Sequence, residues 1–227
     1  VRVAESCNLI DPLFRFVLGE ACAQLRRWSA LPGGSDVRVA VNLSPVQLSS
    51  PELPAFIAAE LGRHGLAGDR LVVEITETGR LVDTDTSNAV CHELRRLGVR
   101  ISVDDFGTGL SALARLRDLP INEVKIDRSF ITDVDHDEAR HRFVSGVLAF
   151  AERLGLTVVA EGVEREAERD ALAELGCHRA QGFLFSRPVS GHAVDALLCP
   201  TGTSDSVLLA NAEVAHMPSQ ELQIGQS

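Results

Sequence analysis

Short β-branched apolar runs recur along this chain, and each leads to a residue able to bind a metal or a phosphate. Residues 37–41 lead to Asn42, 71–73 to Glu74, and 101–103 to Asp104 and Asp105. Val124 precedes Lys125, Ile126 and Asp127; residues 158–160 lead to Glu161; and Gln181 introduces the run 182–185. Between these runs the apolar positions take helical spacing, which predicts helices over 7–28, 52–64, 86–97, 139–154 and 164–175. Gly65, Gly98, Gly155 and Gly176 stand where helices would stop before the next strand. Strand and helix alternating at about 25–35 residues per unit predict parallel strands joined by crossovers. The expected fold is α/β, a TIM-type (β/α) barrel whose polar strand ends gather at one mouth. A complete barrel has eight strands and needs about 250 residues. The six runs here predict an incomplete barrel over residues 1–198, with about six of eight strands present and two expected before residue 1.

From residue 199 the character changes. The stretch 199–227 has no lysine, arginine or aromatic residue and is rich in serine, threonine, glutamine and glycine, which predicts a disordered tail. No apolar run reaches the length of a membrane span, and no charged-then-apolar leader opens the chain. The five cysteines are odd in number and lack metal-type spacing, which suits reduced thiols in the cytoplasm. A net charge of −10 argues against binding nucleic acid through a basic field. An acidic chain can still hold a phosphate compound if metal ions supply positive charge locally.

Of the 22 basic residues only Lys125 is a lysine. A chain that writes arginine elsewhere points to a place where arginine does not fit, although a retained surface lysine is the plainer reading. Lys125 and Asp127 are two apart on a strand and share a face. Clustered acids without cations repel one another and take up protons. Two divalent ions would remove that conflict, and carboxylate and amide oxygens suit Mg²⁺ or Mn²⁺. Plainer readings stand beside these. Asp104 and Asp105 could form an acidic turn, Asn42 a helix start, and Glu77 and Glu164 acids favoured by helix dipoles. Asp127 could simply pair with Lys125, Gln181 could be a core amide, and the stretch around His136 reads as a solvated loop.

Six motifs in order carry a family resemblance: Val41-Asn42-Leu43-Ser44, Glu74-Ile75-Thr76-Glu77, Asp104-Asp105-Phe106-Gly107-Thr108-Gly109, Lys125-Ile126-Asp127-Arg128-Ser129-Phe130, Ala160-Glu161-Gly162-Val163-Glu164 and Gln181-Gly182-Phe183 with Ser186-Arg187-Pro188. The chain resembles the EAL-domain family, phosphodiesterases that linearise cyclic di-GMP. The resemblance implies that Asn42, Glu74 and Asp104 hold one metal ion. Asp104 also faces a second ion, held with Asp105 and Glu161. Lys125 orients the attacking water and, with Glu161 and Asp105, forms the catalytic set. Gln181 and Asp127 become substrate or supporting contacts, Glu77 an anchor for the loop 106–112, and Glu164 an outer support. It further implies a homodimer through the 106–112 region and an upstream sensor or synthase domain in a longer parent. The chain departs from the family pattern in three places. It contains no Glu-Ala-Leu tripeptide, whose glutamate is a metal ligand in the family. Leu110 and Ala112 stand where the family usually has tyrosine and serine, and Phe183 where it often has tyrosine.

The resulting expectation is metal-dependent hydrolysis of cyclic di-GMP to the linear dinucleotide, impaired by the absent glutamate. The alternative is a non-catalytic module that binds cyclic di-GMP or a protein. A Schiff-base lyase using Lys125 needs a neutral amine, which the neighbouring acids oppose.

Overall fold

The computed structural model describes residues 7, 9–77, 84–109 and 119–199. The predicted tail beyond Cys199, the two loop positions Leu110 and Ala112, and the start of the chain lie outside the described residues. Helix α1 (Ile10–Trp28) precedes β1 (Val39–Asn42), α2 (Leu53–His64), β2 (Leu71–Thr76), α3 (Thr84–Arg96) and β3 (Arg100–Phe106). Then follow β4 (Glu123–Ile126), the single-turn α4 (Arg128–Ile131), α5 (Glu138–Leu154), β5 (Thr157–Ala160), α6 (Glu166–Glu174) and α7 (Gly191–Leu198).

The helices end where the sequence says they should. Gly65 and Gly155 cap α2 and α5 in the left-handed conformation, with φ of 62° and 68°. Asp137 caps the start of α5 by accepting from the amides of Ala139 and Arg140. The His136 region is therefore a helix entry with solvated side chains. On α1 the buried positions are Phe14, Leu18, Cys22, Leu25 and Trp28, one face at three- and four-residue spacing. Trp28 donates its indole N–H to Asp195 Oδ1 at 2.9 Å, which docks α7 against α1. Helix α7 has no counterpart among the predicted elements. At eight residues it shows only two turns of periodicity, and its capping Ser190 and its partner Asp195 become informative only once Trp28 is beside them.

Among the described residues five strands pair in parallel in the order β1-β2-β3-β4-β5. Sequential order without reversal is the wiring of a barrel wall rather than of a doubly wound sheet. One face, with Val73, Ile75, Ile101, Val103, Val124 and Ile126, packs into the main core with the helices. Val72 and Val159 are buried on the other face, outside that cluster.

The sixth run differs from its prediction. It forms a single parallel bridge, Ala160 to Ala180, and no strand. The cause lies at Gly182, where a Cβ would come within 2.1 Å of the Val163 carbonyl oxygen. The chain turns there, with Phe185 N–H donating to Gly182 O, so regular strand pairing ends at this point and only Leu184 N–H still donates across, to the Val163 carbonyl. Among the described residues no disulfide joins any of the cysteines. Among the described residues no helix is long and apolar enough to cross a membrane.

Candidate functional site

Parallel register places the polar strand ends side by side. Asn42 pairs with Glu74, and Thr76 with Asp104. Beyond Val103–Val124 the β3–β4 register shifts, so that Phe106 meets Ile126. Three steps on β3 thus face two on β4. This bulge holds the extra residue of Asp104-Asp105, and Asp105 adopts φ of 56°. A regular strand would send adjacent side chains to opposite faces. The bulge lets both carboxylates approach Glu161, and one ligand atom from each of Asp104, Asp105 and Glu161 lies within 4.8 Å of the others.

Lys125 stands at the centre, 3% exposed. Its Nζ lies 2.7 Å from Glu74 Oε1, 2.7 Å from Glu161 Oε1 and 3.3 Å from Asp104 Oδ1. Burial opposes its charge, but the carboxylates of Glu74, Glu161 and Asp104 outweigh burial and hold the ammonium above the ordinary lysine range. An amine held charged in this way opposes the Schiff-base reading, which needs it neutral. Burial pushes Glu161 up to about 7; Lys125 opposes this, while Asp104 and Glu74 add to it. Gln181 Nε2 donates to Glu161 Oε1, and Gln181 Oε1 is buried with no hydrogen-bond partner among the described residues.

The residues suit a divalent cation. They offer hard oxygen donors from several strands, three of them converging, with one buried amide oxygen facing no donor. Metal ligands must be deprotonated. Because Glu161 titrates near neutrality, Mn²⁺ affinity should rise with pH through about 7 and level off above it. Titrations of Mn²⁺ at pH 6 and pH 8 check this; a Glu161→Gln variant should lose most of the dependence.

Of the other predicted residues, Glu77 is buried, and its Oε2 accepts from Gly107 N–H at 2.7 Å. Its second oxygen fills the space beside Gly109, where a Cβ would come within 2.4 Å. Asn42 is exposed at the end of β1, opposite Glu74. Asp127 caps α4 with one oxygen, which accepts from Ser129 N–H at 2.9 Å. Glu164 is exposed and is not brought into the cluster; its backbone amide donates to buried Glu168. Asp133, Asp135 and His136 also gather, but Arg165 bridges Asp133, Asp135 and Glu168 at 3.0, 2.7 and 3.0 Å. That group is an ion-pair network joining the loops before α5 and α6.

The sequence reading missed a buried polar layer beneath the site. Glu123 is 1% exposed, accepts from Ser102 Oγ at 3.1 Å, and pairs with Arg179 at 3.4 Å. The signal was present: 123 precedes 125 by two, as 102 precedes 104 and 179 precedes 181.

Residues 1–188 match the family profile described as EAL domain. The bifunctional diguanylate cyclase/cyclic di-GMP phosphodiesterase MucR of Pseudomonas aeruginosa is 44% identical over 188 residues, which is 82% of this chain and 27% of that protein. The solved structure of the PaMucR phosphodiesterase in complex with c-di-GMP covers 85% of this chain and 78% of its own, at 41% identity and a TM-score of 0.78. The EAL domain of Mycobacterium smegmatis DcpA is 38% identical with a TM-score of 0.80, over 84% of this chain and 85% of that one. The chain spans less than a third of the length of the curated relatives it matches, 32% at most among the first of them. Six motifs in order, a parallel barrel wall and strand-end acids around a buried lysine agree with these likenesses, and the chain belongs to the EAL-domain family.

Proposed function

We propose that this site hydrolyses cyclic di-GMP to the linear dinucleotide in the cytoplasm, using two divalent cations, Mg²⁺ or Mn²⁺. The observation that carries the reading is Lys125, buried and in contact with three carboxylates from three other strands or strand ends. Bound cations supply positive charge for the phosphoryl oxygens and lower the pKa of an attacking water. Asn42, Glu74, Asp104, Asp105 and Glu161 provide the oxygens that hold them. Lys125 orients the water and balances the acids. Gln181, tied to Glu161 through its amide nitrogen, turns its carbonyl oxygen to a substrate donor. Glu77 holds Gly107 and so sets the start of the 106–112 loop, through which a homodimer would bear on Asp104 and Asp105. An upstream sensor or synthase domain in the same polypeptide would regulate the site.

The 227 residues contain no Glu-Ala-Leu, so one carboxylate expected to hold a cation is absent from them. Loss of a residue that merely supports a ligand costs about 10–100-fold in metal affinity or activity, and a lost ligand costs at least as much. Residues 1–227 alone should therefore turn over cyclic di-GMP weakly at saturating Mg²⁺ or Mn²⁺. A polypeptide that adds a Glu-Ala-Leu strand before them should recover. Equal rates from the two would overturn the impairment. Product from neither, with no binding, would overturn the assignment. The same absence favours a second reading, a module that binds cyclic di-GMP or a protein without turnover; tight binding without product in both would select it.

A further inference from the structure

On β3, on β4 and in the segment that bridges β5, a polar residue stands two positions before a site residue. Ser102 lies below Asp104, Glu123 below Lys125, and Arg179 below Gln181. Two-residue spacing puts each pair on one face. The lower three are joined: Ser102 Oγ donates to Glu123, and Arg179 pairs with its other oxygen. Glu123 is among the most deeply buried side chains of the molecule. A buried ion pair rarely stabilises more than apolar residues of the same volume, so stability alone gives little reason for a carboxylate there.

Its place gives one. Ser102 and Glu123 are register partners, and the β3–β4 register shifts just beyond the next pair, Val103–Val124. A slip of one residue on a strand turns every side chain to the other face. The Ser102–Glu123 hydrogen bond ties the two strands one step before Val103–Val124, the last regular pair ahead of the bulge that presents Asp104 and Asp105. Arg179 extends the same layer to the segment whose next residues bridge Ala160 and reach Glu161.

We propose that Glu123 is a positioning residue: buried with Ser102 and closed at its outer edge by the half-exposed Arg179, it forms a polar floor that fixes where Lys125 and the Asp104–Asp105 bulge stand. The catalytic meaning of this floor rests on the phosphodiesterase reading; its effect on Lys125 does not. Lys125 is the only lysine of the chain, so lysine labelled with ¹³C at Cε gives a single resonance. Glu123→Leu should move or broaden that resonance, whereas Ile57→Val in the core of α2 should leave it in place while also lowering the melting temperature. Glu123→Leu should also weaken Mn²⁺ binding by about 10–100-fold. In a polypeptide that turns over, kcat should fall more than KM rises. Glu123→Gln keeps the acceptor for Ser102 and should shift the resonance less. If Glu123→Leu does not fold, Glu123→Gln and Ser102→Ala decide. An unmoved lysine resonance with wild-type Mn²⁺ affinity in the folded variants overturns the proposal. A wild-type protein with no turnover overturns the function but leaves the lysine signal to judge the floor.

Discussion

Replacing Lys125 with methionine should lower the melting temperature of the ligand-free protein by about 6–20 °C at pH 8 and abolish turnover. Methionine keeps most of the length and removes the charge. Glu74, Asp104 and Glu161 then face one another without the cation that lies 2.7–3.3 Å from each. Removing one partner of a buried ion pair costs about 3–5 kcal/mol, and for a domain of this size each kcal/mol moves the melting point by about 2–4 °C. The loss should depend on pH. Without Lys125 the acids repel and their folded-state pKa values rise above the unfolded ones. The folded protein then binds more protons than the unfolded chain between those values, so stability falls as pH rises through that window. The deficit of the variant should therefore be smaller at pH 5 than at pH 8. Mg²⁺ or Mn²⁺ should stabilise the variant more than the wild type, because the cation replaces the missing charge. Thermal melts at the two pH values, with and without cation, test all of this. A variant that melts within a degree of wild type at pH 8 would show that Lys125 does not hold the acids together.

Asp105→Asn should act in the opposite direction on stability and still destroy the site. Asp105 sits at φ of 56°, a conformation that asparagine tolerates about as well as aspartate. The substitution therefore preserves the bulge. It removes one of three carboxylates whose ligand atoms lie within 4.8 Å, and with it part of their repulsion. The ligand-free melting temperature should stay or rise. Mn²⁺ affinity should fall by at least about 100-fold, beyond the loss typical of a residue that only supports a ligand, and turnover with it. Asp105→Ala should lose the same affinity but also melt lower, because alanine carries a left-handed penalty of about 1–2 kcal/mol. Unchanged Mn²⁺ affinity in Asp105→Asn would remove this residue from the metal set. Equal melting losses in the two variants would show that the bulge, rather than charge, governs the position.

Much of this was legible before any coordinate. The apolar runs and the glycine stops placed five strands and five helices close to their observed bounds, because period and punctuation are local properties. Lys125 stood out as the only lysine, and it is the residue on which the acids converge. What the sequence left out depends on neighbours. Residues 182–185 look like a strand in isolation, but the close approach of Gly182 to Val163 turns the chain. Asp127 is read from the sequence only by its spacing from Lys125, and the structure adds that one of its oxygens accepts from the amide of Ser129. Glu164 has a place in a motif, but the carboxylate buried at that corner belongs to Glu168, held by the amides of Glu164, Arg165 and Asp133. Glu123 passed unnoticed because an acid ahead of a strand reads as solvated until Ser102 and Arg179 are beside it.

Sequence by itself determined the class of the fold, the order of its elements and the residues available for chemistry. These follow from hydrophobic period, helix stops and the kinds of side chain at strand ends. Only the tertiary structure decided how those side chains meet. The one-residue bulge on β3 brings two adjacent aspartates to the same partner, Glu161, since an ordinary strand would part them. Long-range packing set the protonation of the site: a lysine stays charged and Glu161 titrates near 7 because burial and charges from other strands act on them together. Electrostatic energy depends on distance and local dielectric, and neither is written in the order of residues along the chain.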